Sequence, residues 1–183
     1  MPILILGHGR SGTSLVAGIC SKLGVYMGKR VHKANKQNIY GYYEDLEFMN
    51  INRHYTNLFL DMKTKEFRRR MKILTDEREE PWGLKDPNIS TPNLLHEYFR
   101  LKPQIILCLR SETDSARSMT KAYGWTDASS RLLCQTRLKA IMGALEGKEY
   151  LTIDFKEKDK AEKIAKFIGL PLTKEAREHE KFV

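Results

Sequence analysis

Residues 7–14 read Gly7-His-Gly-Arg-Ser-Gly-Thr-Ser14, three glycines set around one arginine. Glycines at 7, 9 and 12 permit a tight loop whose backbone N–H groups turn inward on an anion. Apolar residues at 15, 16, 19, 20 and 23 follow with helical spacing, and Gly24 closes the run. A helix starting near Thr13 adds the positive end of its dipole to the same point. Gly9, Arg10, Ser11, Gly12, Thr13 and Ser14 are therefore candidate phosphate-binding residues. Arg110 and Ser118 form a second candidate pair. Gln104-Ile-Ile-Leu-Cys-Leu109 reads as a buried strand ending at Arg110, and Ser118 falls eight positions on in the next helix. Side chains so placed can converge on one phosphate. The plainer alternatives are a glycine turn joining strand to helix, and an arginine salt bridge beside a helix-surface serine.

The frame Gly7-x4-Gly12-Thr13-Ser14 has the spacing of a Walker A loop with its lysine replaced by Thr13. In a nucleoside triphosphatase that lysine neutralises the terminal phosphates and the next hydroxyl holds Mg²⁺. With the cation moved to Arg10, the loop suits a phosphate or phosphosulfate bound without a metal.

Positioning these residues requires strands that end side by side. Pro2–Leu6 is a short continuous apolar run of the kind found in buried parallel strands. Trp82–Lys85, Gln104–Leu109 and Tyr150–Phe155 are further strand candidates. Helices are expected over 15–23, 44–62, 65–80, 91–101, 114–123, 128–146 and 159–168. The second presents Leu46, Met49, Tyr55, Leu58, Phe59 and Met62 on one face, and Phe67, Met71 and Leu74 anchor the third. Lys29–Asn38 reads as a basic loop and Asp86-Pro-Asn as a turn. Strands alternating with helices predict an α/β fold of three layers, P-loop in type, with a central, mainly parallel sheet flanked by helices. No repeat or Pro/Gly-rich linker divides the chain, so residues 1–183 read as one domain.

Gly9-Arg-Ser-Gly-Thr-Ser-Leu15 resembles the 5′-phosphosulfate loop of sulfotransferases that use 3′-phosphoadenosine 5′-phosphosulfate (PAPS). Arg110 and Ser118 match that family's 3′-phosphate motif in spacing. Asn38-Ile-Tyr-Gly-Tyr-Tyr-Glu-Asp45 is similar to the Gly-Tyr-Phe-Glu-Asp stretch of bacterial carbohydrate-type members, and Trp82-Gly-Leu-Lys-Asp-Pro87 to their Lys-Asp-Pro motif. Asp154–Leu170 resembles their late strand and the helix ending in Phe-Ile-Gly-Leu. The likeness thus runs in order over nearly the whole chain. It departs at Gly9, where relatives more often have another residue. It also lacks a C-terminal basic glycine loop and the Lys-Thr-His segment of the larger cytosolic enzymes, with Lys85-Asp86 standing in place of the latter.

The resemblance implies transfer of a sulfuryl group from PAPS, without a metal, to a hydroxyl or amine of a small molecule or glycan, leaving 3′,5′-ADP. Positioning and electrostatics carry most of such a reaction. Arg10 and the amides of residues 11–14 would grip the phosphosulfate, and Lys85 would stabilise the sulfuryl oxygens or leaving phosphate. A carboxylate must take the acceptor proton. Glu44 is the first choice; Asp45 and Asp86 are alternatives, Asp86 also serving to orient Lys85. An acid in the first turn of a helix also stabilises the dipole by ~0.3–1 kcal/mol, a sufficient structural reason for Glu44. His8 and His32 read as surface or loop-supporting residues. Trp82, Tyr42 and Tyr43 suit core packing better than stacking on adenine or a sugar.

Charge agrees with an anionic ligand. The net charge is +9, and residues 1–43 carry Arg10, Lys22, Lys29, Arg30, Lys33 and Lys36 with no Asp or Glu. A non-catalytic nucleotide- or nucleic-acid-binding protein is the rival reading of this charge, relying on Lys29–Lys36 with Arg68–Arg70 added. Glu66 and Glu77–Glu80 flank that triplet, making it a solvated helix face, and no nucleic-acid partner is expected. A P-loop kinase or nucleoside triphosphatase is the other rival; Thr13 and the lack of a convincing Mg²⁺-binding strand stand against it. The chain enters its first strand without a charged lead, and no apolar run reaches the ~18 residues that span a bilayer. Cys20, Cys108 and Cys134 lie far apart in apolar segments, as buried free thiols of a cytoplasmic protein would.

Overall fold

The computed structural model describes residues 1–38, 41–56, 64–86, 89 and 92–181. Among these residues, four short strands form one sheet: β1 (Ile3–Leu6), β2 (Gly83–Lys85), β3 (Gln104–Leu109) and β4 (Leu151–Asp154). Their order is β2-β1-β3-β4, and every pairing is parallel. Among the same residues, eight helices surround it: α1 (Thr13–Lys22), α2 (Leu46–Thr56), α3 (Thr64–Asp76), α4 (Pro92–Phe99), α5 (Glu112–Tyr123), α6 (Asp127–Ala144), α7 (Lys160–Ile168) and α8 (Lys174–Glu180).

Strand residues alternate between two cores, because successive side chains leave a strand on opposite faces. Ile3, Ile5, Ile106, Cys108 and Ile153 pack with Val16 and Ile19 of α1 and with Ala161 and Ile164 of α7. Leu4, Leu6, Leu84, Ile105 and Leu107 join Phe48, Phe67, Tyr98 and Ile141 on the other face. Burial on both faces explains why β1 and β3 read as unbroken apolar runs. Fully burying each such side chain stabilises by about 1.5–3 kcal/mol. The result is a three-layer α/β fold.

Register sets the site. Ile5 pairs with Lys85 on one side and Ile106 on the other, so β1, β2 and β3 run out at the same, carboxyl end of the sheet. The loop 7–14, Lys85-Asp86 and Arg110 leave from that end together, where open α/β sheets bind ligands.

Several elements differ from expectation. The helix expected from Glu44 begins at Leu46. The Asp45 carboxylate accepts from the Glu47 amide at 2.8 Å, and its carbonyl from Met49 at 2.9 Å, so Asp45 caps the helix and Glu44 lies outside it. A first-turn dipole role for Glu44 is thereby removed. The buried face of α2 is Phe48, Ile51 and Asn52, while Leu46 is exposed. Leu58, Phe59 and Met62, the turn at Pro87 and Asn88, and Thr91 lie outside the described residues. Arg68 is not simply solvated: its guanidinium forks onto Glu97 of α4 with two 2.7 Å bonds, whereas Arg69 and Arg70 pair with Glu66. Among the described residues no helix is long and apolar enough to cross a membrane.

Candidate active site

The glycine loop turns through two left-handed residues, Arg10 (φ 63°) and Gly12 (φ 99°). Arg10 pays the usual steric cost of that conformation for a non-glycine residue, and contacts from α5 and β3's end hold it there. Its Nε donates to Ser118 Oγ at 3.0 Å, and its carbonyl accepts from Arg110 Nη1 at 3.2 Å. Arg10, Arg110 and Ser118 are thus drawn into one cluster from three chain positions. Arg110 also lies over the Phe155 ring, 4.0 Å from its centroid. Burial lowers the Arg110 pKa, with Asp114 opposing and Arg10 reinforcing that shift.

Behind the loop, α1 has neither an acidic residue in its first turn nor a side chain capping its first amides. Those amides have no partner within the helix, so Thr13, Ser14 and Leu15 bring donors to the cleft they line. Ser11 is placed differently. Its side chain is buried under the loop, 2.4 Å from where a Cβ on Gly7 would sit, and its amide donates to the His8 carbonyl at 3.2 Å. Its hydroxyl has no partner among the described residues.

Across the α1 N-terminus, Lys85 Nζ donates to the Glu44 carboxylate and, at 3.2 Å, to Ser14 Oγ. Burial pushes the Lys85 pKa down, while Glu44 and then Asp86 counter it. The second Glu44 oxygen lies 3.6 Å from Nδ1 of half-exposed His32, whose ring stacks on Tyr42 at 4.4 Å. His32 therefore reaches the carboxylate that the sequence singled out, as well as supporting its loop. Asp86 is buried and accepts from Asn52 Nδ2 at 2.5 Å, and Asn52 in turn accepts from Tyr98 at 2.7 Å. Asp45 is not in the cleft; it is buried against Arg78.

These groups wall a cleft of about 520 Å³. Among the described residues, four fixed cations line it, Arg10, Lys85, Arg110 and Arg137, against the carboxylates Glu44 and Asp86. Such an imbalance, partly shielded from water, suits a multiply anionic ligand. Among the described residues no cluster of three His, Cys, Asp or Glu side chains is placed to hold a metal ion.

Sequence reasoning left out the lining residues Arg137 of α6, His179 of α8 and Phe155. Tyr123 and Trp125 line the cleft from the 120–130 segment, which the sequence reading expects to shape the acceptor pocket. His8 is buried and its Nδ1 lies 3.1 Å from the Gly9 carbonyl, which makes it a loop support beneath the surface. Trp82 is core, stacked against Phe48 at 6.0 Å. Tyr42 lines the cleft, while Tyr43 packs edge-on to His179 at 6.1 Å. In comparisons with known proteins, no family model and no curated sequence matches the chain.

Proposed function

We propose that this protein is a PAPS-dependent sulfotransferase, similar to the bacterial carbohydrate-type enzymes, with a P-loop-type phosphosulfate loop at residues 7–14. The observation that carries this reading is the arginine hub. Arg10, central in the loop, is bonded to both Ser118 and Arg110, the residues matched to a 3′-phosphate site. A ligand phosphorylated at two places would engage both ends of that hub. On the other side of the same helix N-terminus stand Lys85 and Glu44, a cation and a carboxylate in contact.

In the proposed reaction an acceptor oxygen attacks the sulfur of the phosphosulfate in line. The new S–O bond forms as the bond to the bridging phosphate oxygen breaks, and that oxygen keeps the electron pair, giving 3′,5′-ADP. The acceptor's proton passes to the Glu44 carboxylate. Arg10 and the amides of Thr13 and Ser14 offset the charge on the equatorial and leaving oxygens. Lys85, already bonded to Ser14, would turn from Glu44 toward those oxygens, which frees Glu44 to act as base.

Thermal melting with 3′,5′-ADP, ADP and ATP, each with and without Mg²⁺, tests the donor. At a hundred times its Kd a ligand adds about 2.7 kcal/mol, or about 5–10 °C for a chain of this size. 3′,5′-ADP is expected to give that shift without Mg²⁺ and to exceed ADP and ATP. Equal shifts, or a strict need for Mg²⁺, would return the site to the nucleoside triphosphatase class.

A further inference from the structure

Among the described residues, Arg137 is the one fixed cation in the cleft that the donor reading does not use. It stands on α6, half-buried, and among the described residues its guanidinium makes no hydrogen bond or ion pair. The carboxylate that acts on it is Asp86, which is bonded to Asn52. Burial lowers the Arg137 pKa, with Asp86 opposing, yet an arginine remains charged throughout the working range. The half-buried guanidinium offers five donors and no acceptor to an anion that enters the cleft.

Its place in the fold says which anion. Arg110 flanks the loop on the β4 side: it lies over Phe155, and the Phe155 ring would strike a Cβ on Gly12. Arg137 meets the same loop at Gly9, beside Met119, where Asp86 is the carboxylate that acts on it. Its Nη1 lies 3.9 Å from where a Cβ on Gly9 would sit, and Asp86 follows the end of β2. β2 and β4 are opposite edges of the sheet. If the nucleotide's second phosphate lies with Arg110, Arg137 faces whatever approaches from the side of Lys85 and Glu44. Two aromatic rings share that wall. Tyr123 and Trp125 stand 5.2 Å apart by centroid, are 46% and 44% exposed, and line the cleft. Rings left half in solvent at a cleft mouth offer apolar faces to a sugar or aromatic ring.

We infer that Arg137, with Tyr123 and Trp125, forms an acceptor subsite for a hydroxylated ring compound that itself carries an anionic group, such as a carboxylate. This rests on the donor reading above, which puts the nucleotide on the Arg110 side. The guanidinium fork grips the carboxylate in two-point fashion, the ring lies on the aromatic pair, and a hydroxyl is left to face Glu44.

The test uses two probes that differ in one group: 4-nitrophenyl glucuronide, with a carboxylate, and 4-nitrophenyl glucoside, with a hydroxymethyl. Affinities are measured by ligand-observed NMR for the full chain, with and without saturating 3′,5′-ADP. Wild type is expected to bind the glucuronide at least tenfold more tightly than the glucoside. Arg137→Met should abolish that preference while leaving glucoside and 3′,5′-ADP affinities within about twofold. Arg137→Lys, which keeps charge but loses the fork, should retain part of it and guards against a misfolded methionine variant. Equal binding of the two probes, no binding of the glucuronide, or a preference that survives in Arg137→Met overturns the inference. A tenfold loss of 3′,5′-ADP affinity in Arg137→Met also overturns it, by moving Arg137 to the donor. Failure of wild type to bind 3′,5′-ADP defeats the donor reading separately, because the probe comparison is also made on nucleotide-free protein.

Discussion

Lys85 and Glu44 meet as an ion pair on the cleft floor, each side chain only 6% exposed, although they come from β2 and from the loop ahead of α2. Removing one partner of such a pair strands a buried charge and costs about 3–5 kcal/mol, more than the pair itself contributes. Lys85→Met is therefore expected to lower unfolding free energy in urea by about that much. Lys85→Met combined with Glu44→Leu should recover most of the loss.

Activity should separate the two residues. Glu44→Gln keeps the shape and a hydrogen bond to Lys85 but cannot take a proton. Turnover of labelled PAPS should fall 10²–10⁴-fold, the usual cost of losing a general base, with 3′,5′-ADP affinity nearly unchanged. Near-normal turnover in Glu44→Gln would sink the base role. A dead Asp86→Asn with intact donor affinity would transfer it to Asp86.

Arg110 serves the proposed nucleotide and also props the carbonyl of left-handed Arg10. Arg110→Ala should weaken 3′,5′-ADP by about 2–5 kcal/mol through loss of a desolvated charge contact. The lost prop is a single hydrogen bond, about 0.5–1.5 kcal/mol, so 5′-AMP should lose no more than that. Calorimetry showing equal losses for both ligands would make Arg110 purely structural.

The glycine loop, β1 and β3 were legible because their signals are local: an apolar run, then glycines, then a helical period. The parallel sheet followed from the alternation of strands and helices. Arg137 was not legible, because apolar residues are spread around Asp127–Ala144 and nothing local says which of its residues meets the cleft. α8 was missed because its sequence, Lys174-Glu-Ala-Arg-Glu-His-Glu180, has no apolar period; only Ala176 and His179 are buried. The helical period puts Leu46 on the core face, but the Asp45 cap sets where α2 starts and its packing buries Phe48, Ile51 and Asn52. Tertiary contact, which periodicity does not carry, decided each of these.

Asp45 illustrates how a carboxylate next to a candidate base can be wholly structural. It pairs with Arg78, their side chains 1% and 4% exposed, and the Arg78 guanidinium lies 4.5 Å from the Phe48 ring centroid and 5.4 Å from those of Tyr26 and Trp82. The pair joins the start of α2 to the segment after α3. Asp45→Asn should cost about 3–5 kcal/mol of stability by leaving the arginine charge buried and uncompensated. Below its lowered melting temperature, the variant should keep wild-type turnover per folded molecule. A large loss of turnover with unchanged melting would instead bring Asp45 into the chemistry.

Gly18 and His179 fasten α8 onto α1, and two measurements should expose that contact. An added Cβ at Gly18 would sit 2.0 Å from His179 Nε2. Glycine to alanine within a helix normally gains about 0.5–1 kcal/mol, but overpacking costs about 1–3 kcal/mol, so the clash should win. Gly18→Ala is expected to destabilise the fold, and His179→Ala in the same chain should remove the clash and restore the helix gain. The histidine also confers a pH dependence. Burial, and secondarily Lys22, hold the His179 pKa below its ordinary value of 6.5. Between that lowered value and 6.5 the unfolded chain binds the proton and the folded chain does not, so stability rises with pH across this window and falls on acidification. Below the lowered value both states are protonated and the contribution levels off. Urea unfolding at pH 7.5 and 5.5 should therefore show wild type losing more stability on acidification than His179→Gln, which has no such proton to take up. Parallel losses in the two proteins would mean that His179 titrates as it does in the unfolded chain, and that α8 does not shield it.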